Sequence, residues 1–300
     1  MILQPITDNT FYIPGSNNIG VIAAPDRRAI VIDTGIDKES GRLIRKALDQ
    51  AKLQLHAIIC THHHADHIGG NDFLLRNIAN VELLAPPLEA ALIEHPVLEP
   101  IYLSMGAKPI PALQTKWLMA KGVPVSRLIT GDRLEVADLT LEVVALAGHS
   151  LNQIGIVYAG VCFAADGFFG ASVLAKHGIP YAQDITGQLA ALETLDKRAD
   201  LFFLPGHGDL TPRAQLADAL DANREAILRA QHAVLAALDQ PGELTQIGRR
   251  VKLALGLSFG GAPQYAIFLS VLSAHLSYLE AQGLAVVALL DEGLIWSRSK

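Results

Sequence analysis

The chain has 300 residues, 50% of them hydrophobic and only 18% charged, enough to bury a large core. A net charge of −6 and a pI near 6.0 give no broad basic field, which disfavours nucleic acid and anionic membrane as partners. No apolar run reaches the length of a membrane span, and the N-terminus lacks the basic and apolar regions of a secretion signal.

The opening "MILQPITDNTFYIPG" reads as a first strand, followed by strands "IGVIAAP" and "RRAIVIDTG" around a Pro-Asp turn. "KESGRLIRKALDQAKL" carries apolar residues at helical spacing. "LHAIICTH" is a buried strand, "GGNDFLLRNIAN" a short helix and "VELLAP" another strand. Residues 88–126 form a long insert that holds Tyr102, Met105, Trp117 and Met119; a lid, a dimer surface and plain packing all fit it. Residues 127–165 run almost wholly as strands. Helix "ITGQLAALETLDKR", strand "DLFFLPGHG" and a long helix over about 213–239 complete the first domain. This order predicts an α/β fold of two facing sheets with helices outside. Past residue 242 come two helices and a small hairpin, a winged-helix-like module, so the expected domains are 1–242 and 243–300. Cys60 and Cys162 sit in apolar strands, as buried thiols of a reducing cytoplasm would.

The stretch "CTHHHADHIGG" places His62, His63, His64, Asp66 and His67 just beyond a buried strand. Imidazole and carboxylate are ligands of zinc and similar divalent ions. In extended chain, positions two apart face the same way, so His62 and His64 converge on one point. Asp66 and His67 follow a turn and can reach a second, whereas alternation points His63 away, to the surface or behind the ligands. Three more apolar strands end in His149, Asp166 and His207, each beside glycine, and Asp166 can bridge two ions with its two oxygens. His177 and Tyr181, on the loop after Asp166, are candidate substrate contacts. His56, His95, His232 and His275 have no motif around them and read as surface or packing residues.

The set His62-x-His64-x-Asp66-His67, Gly148-His149-Ser150, Asp166 and Gly206-His207 resembles the metallo-β-lactamase superfamily, with a glyoxalase II-like metal motif, across about residues 10–210. The resemblance implies an αββα sandwich. It implies one metal held by His62, His64 and His149, a second by Asp66, His67 and His207, and Asp166 between them. Asp33 matches a position that braces the histidine loop, though a turn Asp at a strand end reads the same way. No cysteine stands at a ligand position, unlike the antibiotic-hydrolysing zinc enzymes that use one, and His64 is not the Glu of the di-iron flavoprotein partners.

The implied activity is that of a cytoplasmic binuclear hydrolase with two divalent ions per chain, zinc first and Mn or Fe as options. A metal-bridging hydroxide, oriented by Asp66, would attack a small ester, thioester or lactone-like substrate. Alternatives are a ribonuclease or phosphodiesterase of the same fold, a mononuclear iron persulfide dioxygenase and a metal-binding protein without turnover. The helix "APQYAIFLSVLSAHLSYLEAQG" has no Lys or Arg, which argues against an RNA grip by the tail; its apolar face predicts packing or a homodimer instead.

Overall fold

In the computed structural model, which describes residues 3–300, two sheets lie face to face between helical layers. Met1 and Ile2, at the head of the expected first strand, lie outside the described residues. The first sheet contains, in spatial order, β1 (Gln4–Pro5), β2 (Thr10–Ile13), β3 (Ile19–Ala23), β4 (Arg28–Ile32), β5 (Gln54–Ile59), β6 (Glu82–Ala85) and β7 (Arg127–Leu128). It is antiparallel up to β4 and parallel beyond. Its parallel part requires crossovers, which α1 (Lys38–Ala51), α2 (Ala65–Ile68), α3 (Asn71–Asn77), α4 (Pro87–Glu94) and α5 (Leu98–Leu103) supply. Asp37 caps α1 by accepting from the Glu39 and Ser40 amides.

The second sheet has β8 (Arg133–Val136), β9 (Leu139–Ala145), β10 (Ile154–Tyr158), β11 (Val161–Ala165), β12 (Phe202–Pro205) and β13 (Thr211–Pro212), in the order β13-β12-β11-β10-β9-β8. Against its outer face lie α7 (Ile185–Asp196) and α8 (Arg213–Ala237), with the shorter α6 (Ala171–His177) following β11. Strand alternation divides the core. Val21, Val31 and Ile58 turn outward onto Ile44, Leu48 and Leu74 of the first helical layer. Ile22, Ile30 and Ile59 turn inward onto Leu141, Ile156 and Phe163 of the second sheet. Val157, Cys162 and Phe203 meet Leu192, Leu195 and Leu216 on the far side. Burying each such side chain contributes about 1.5–3 kcal/mol, so the strand order is held by all three interlayer contacts.

The 88–126 insert contains more regular structure than its sequence suggests. Pro87 starts α4, whose buried face carries Glu89, Ala90 and Ile93; α5 and a 3-10 turn at Pro111–Leu113 follow. Met105 and Trp117 are exposed.

The tail consists of α9 (Leu244–Ala254), α10 (Ala262–Ala281) and the antiparallel hairpin β14 (Ala285–Leu290) and β15 (Gly293–Arg298). The apolar face of α10, expected to need a partner surface, is covered within the chain. Phe268, Val271, Leu272, Leu276 and Leu279 are buried with Val234 and Leu238 of α8 and Ile247 and Val251 of α9. The same helix also touches α5 and α7. A boundary at 242 falls between α8 and α9, yet the tail core reaches across it. Several exposed apolar side chains of the tail lie on the hairpin, Val286, Val287, Leu289 and Leu290 on β14 and Leu294 on β15, with Leu253 on α9 and Tyr265 on α10 also exposed.

Candidate metal centre

β4 and β5 run parallel, and so do β11 and β12; β9 is antiparallel to β10, which is antiparallel to β11. Asp33, the 61–67 loop, His149, Asp166 and His207 therefore all follow the C-terminal ends of like-directed strands and gather at one rim of the sandwich. A bulge in the β11–β12 pairing and a left-handed Ala165 (φ 47°) re-aim the chain just before Asp166. Gly206 leaves room for two of these side chains. A Cβ there would collide with Asp166 Oδ1 and stand 2.7 Å from His67 Cε1.

Within the rim, ligand atoms of His62, His64 and His149 all lie within 4.8 Å of one another, and so do those of Asp66, His67 and His207. Asp166 stands between the two groups. Its Oδ2 is 3.2 Å from His149 Nε2 and 3.6 Å from His207 Nε2, while Oδ1 is 3.4 Å from His67 Nε2. Asp66 Oδ2 is 3.2 Å from His207 Nε2, and His149 Nε2 faces His64 Nδ1 at 2.8 Å.

The second nitrogen of four imidazoles is tied back. Nδ1–H of His67 donates to Asp33 Oδ2 (2.8 Å), that of His149 to the Tyr181 carbonyl (3.0 Å) and that of His207 to the Ser16 carbonyl (2.5 Å). Thr61 Oγ1 gives its proton to Asp33 Oδ2 (2.7 Å) and so accepts from His62 Nδ1 at 3.0 Å. Each tie directs Nε2 inward, where the neutral ring offers its lone pair. His62 Nε2, His67 Nε2 and Asp166 Oδ1 are buried without a hydrogen-bond partner. Such orphaned atoms are costly unless a ligand takes them, so the donor set fits divalent cations. A third grouping, Asp33, His62 and His67, also meets the distance criterion. The Asp33 oxygens, however, already accept from Thr61 N, Thr61 Oγ1 and His67 Nδ1, which makes Asp33 a brace behind the loop.

The sequence pattern of the metallo-beta-lactamase superfamily matches residues 12–207. The chain belongs to that superfamily. It is 36% identical over 155 residues to hydroxyacylglutathione hydrolase 2 of Vibrio vulnificus, and 32% identical over 155 residues to hydroxyacylglutathione hydrolase of Vibrio campbellii. Each match spans 52% of this chain and 48% of the relative, so the chain covers about half the length of these curated relatives. In fold it is similar to a beta-lactamase domain protein from Burkholderia ambifaria (TM-score 0.73, 20% identity, 99% of this chain and 93% of the other). It is also similar to a metallo-beta-lactamase family protein from Thermus thermophilus (TM-score 0.71, 18% identity, 99% and 97%). The αββα sandwich expected from the resemblance is thus the fold observed.

Electrostatics divide this superfamily rim in two. Burial, followed by the neighbouring imidazoles, holds His62 and His64 well below the usual histidine range, in the neutral form that binds metal. At the other group burial opposes charge, and charge wins. Asp166 is held far below the carboxylate range by His207, His67 and His149, and Asp166 with Asp66 lifts His207 to about 9. The rim therefore offers neutral nitrogens on one side and carboxylates on the other.

His63 is not at the surface. It is buried, and its backbone N–H and Nδ1–H both donate to Glu89 Oε2, while Nε2 lies 3.3 Å from Tyr102 Oη. The other Glu89 oxygen accepts from Ser150 Oγ (2.7 Å) and the Asn152 amide (2.8 Å). Glu89 therefore clamps the 62–67 loop to the loop bearing His149. Sequence reading passed over it, although an acidic residue on the apolar face of "PPLEAALIE", four before Ile93, was a usable signal. Asn18 is a second missed support: its Nδ2 donates to the Pro205 and Gly208 carbonyls and pins the loop of His207. The Tyr181 ring centroid lies 5.4 Å from that of His64 and 5.3 Å from that of His149, whereas His177 is exposed at the end of α6. Cys60 and Cys162 are free and buried.

Proposed function

We infer that the chain is a binuclear metal-dependent hydrolase acting on a small ester, thioester or lactone-like substrate. The observation that carries this reading is a pair of three-residue ligand groups sharing Asp166. His62, His64 and His149 would hold one divalent ion and Asp66, His67 and His207 the other, zinc being the first choice for a set of nitrogens and carboxylates. Bound there, the ions would supply Lewis acidity that polarises the attacked carbonyl and acidifies water. Asp66, partly open to solvent and fixed by His207, orients the attacking water and takes its proton. Tyr181 walls the substrate side beside His64 and His149, and His177, exposed at the end of α6, is the second candidate contact. The named activity of the hydroxyacylglutathione hydrolase relatives supports a thioester within this class.

Nucleic acid is a poor fit. The Arg250 guanidinium is spent on the carbonyls of Ala237, Gln240 and Pro241, and Lys252 lies over the Phe259 ring. Among the described residues no helix is long and apolar enough to cross a membrane. The two buried, unpaired cysteines support a cytoplasmic setting, and the exposed apolar strand β14 supports a homodimer. Elemental analysis tests the centre. Wild type should carry close to two divalent ions per chain, and His67→Ala or His207→Ala should carry about one. A single iron in wild type would sink the reading in favour of oxygenase chemistry.

A further inference from the structure

Four of the five imidazoles in the two ligand groups are held from behind by a hydrogen bond, and His64 is not. Among the described residues its ring nitrogens have one neighbour at hydrogen-bond distance, His149 Nε2, which is itself a ligand atom. A ring without such a tie turns about its side-chain torsions unless packing stops it. Two rings that are not ligands stand against it, His63 and Tyr181, with centroids 4.7 and 5.4 Å away and planes inclined at 64° and 66°. These two rings are joined by a chain of hydrogen bonds. With its Nδ1 proton committed to Glu89, the neutral His63 ring accepts the Tyr102 O–H at Nε2 (3.3 Å). Tyr102 Oη accepts from Gln183 Nε2 (3.2 Å), and the second N–H of that amide meets Tyr181 Oη (3.5 Å). The Gln183 backbone is fixed as well: its N–H donates to the Gly148 carbonyl (2.8 Å), next to His149.

We propose that Tyr102 and Gln183 are positioning residues for His64: they hold the His63 and Tyr181 rings at the spacing that aims its nitrogen into the first ligand group. Each acts through the ring it holds. Tyr102 comes from α5 of the insert and Gln183 from the loop before α7, so the brace closes across the two loops that carry His62, His64 and His149. Removing the Tyr102 hydroxyl leaves His63 Nε2 and the Gln183 amide each short of a partner and lets the two walls part. The second ligand group lies outside this chain of bonds, since His67 is tied to Asp33 and His207 to Ser16. The brace therefore supports the first ion and not the second. Its effect on turnover rests on the hydrolase reading; its effect on metal binding does not.

The test uses full chains with one ligand group disabled: His207→Ala leaves the first group intact, and His149→Ala the second. In the His207→Ala chain, Tyr102→Phe and Gln183→Met should each weaken zinc binding about tenfold in competition with a chromophoric chelator, the lower end for residues behind a ligand. The two together should lose less than the product of the single losses, because they share a bond. In the His149→Ala chain neither should change the affinity. Each variant should melt within a few degrees of its parent, since one half-buried hydrogen bond is a small share of the stability. With both groups intact, Tyr102→Phe should lower kcat on a thioester probe and leave KM nearly unchanged. Equal losses in the two backgrounds, no loss in the first, losses that multiply, a rise in KM alone, or a large fall in melting temperature in both variants each overturns the proposal. A loss confined to the first ion, with no thioester cleaved by wild type, would uphold the brace and bring down the hydrolase reading.

Discussion

The floor and the roof of the centre rest on different supports. The floor is made of strand ends, with His62, His67, His149 and His207 each held at Nδ1 by Thr61, Asp33, Tyr181 or Ser16. The roof comes from α4 and α5 of the insert and leans on α10 of the tail. Polar groups on the floor are paired outward and free inward. On the roof Glu89 is fully engaged, and Glu99 is buried on α5. Rigid strand ends suit fixed distances between ligands, and a helical insert steadies them from outside. The comparison predicts that floor substitutions act directly on metal and turnover, whereas roof substitutions act first on stability and reach the metal only through the floor loops they brace.

The largest effect should come from the floor. Asp66→Asn should keep the fold and lose about 10²–10⁴-fold in turnover on a thioester or ester probe. Near-normal turnover with metal bound would remove Asp66 from its role. Next is the clamp joining floor to roof. His63→Ala leaves Glu89 as a buried charge short of its partner, so it should cost about 3–5 kcal/mol in denaturant unfolding while metal content stays close to wild type. Metal loss without loss of stability would make His63 a ligand and erase the distinction.

The third prediction separates the tail from the floor by pH. His275 on α10 is buried with neither ring nitrogen paired, and burial lowers it from 6.5 to about 4. The folded chain holds it neutral, while the unfolded chain takes up a proton below 6.5. Its contribution is thus intact above pH 6.5 and lost as pH falls from 6.5 toward 4, in total roughly 3 kcal/mol. His275→Leu should flatten the stability profile by that amount over that window, measured as the difference from wild type. Parallel profiles would place the acid sensitivity wholly in the metal centre. The smallest effect is expected behind the floor: Asp33→Asn should weaken metal binding about 10–100-fold in competition with a chelator. An unchanged affinity would reduce Asp33 to the turn residue its sequence also allowed.

Much of the floor was legible in the sequence because its chemistry is local. His62, His64, Asp66 and His67 fall within six positions, and alternation along an extended segment sets which of them converge. His149, Asp166 and His207 were legible for a different reason: each ends an apolar strand beside a glycine. The strands and long helices were likewise visible in their periodicity. Only the tertiary structure decided what those residues lean on. Asp33 reaches Thr61 and His67, Asn18 reaches Pro205 and Gly208, and Glu89 reaches His63 and Ser150; no local pattern encodes pairs so far apart along the chain. The same holds for the face of α10. Its hydropathy announced that something must cover it, but whether a second copy or its own α8 and α9 do so depends on how the layers close. Burial is a property of the packed whole, and for that reason the burial of Glu89 and Glu99 could be read only once α4 and α5 had been set in place.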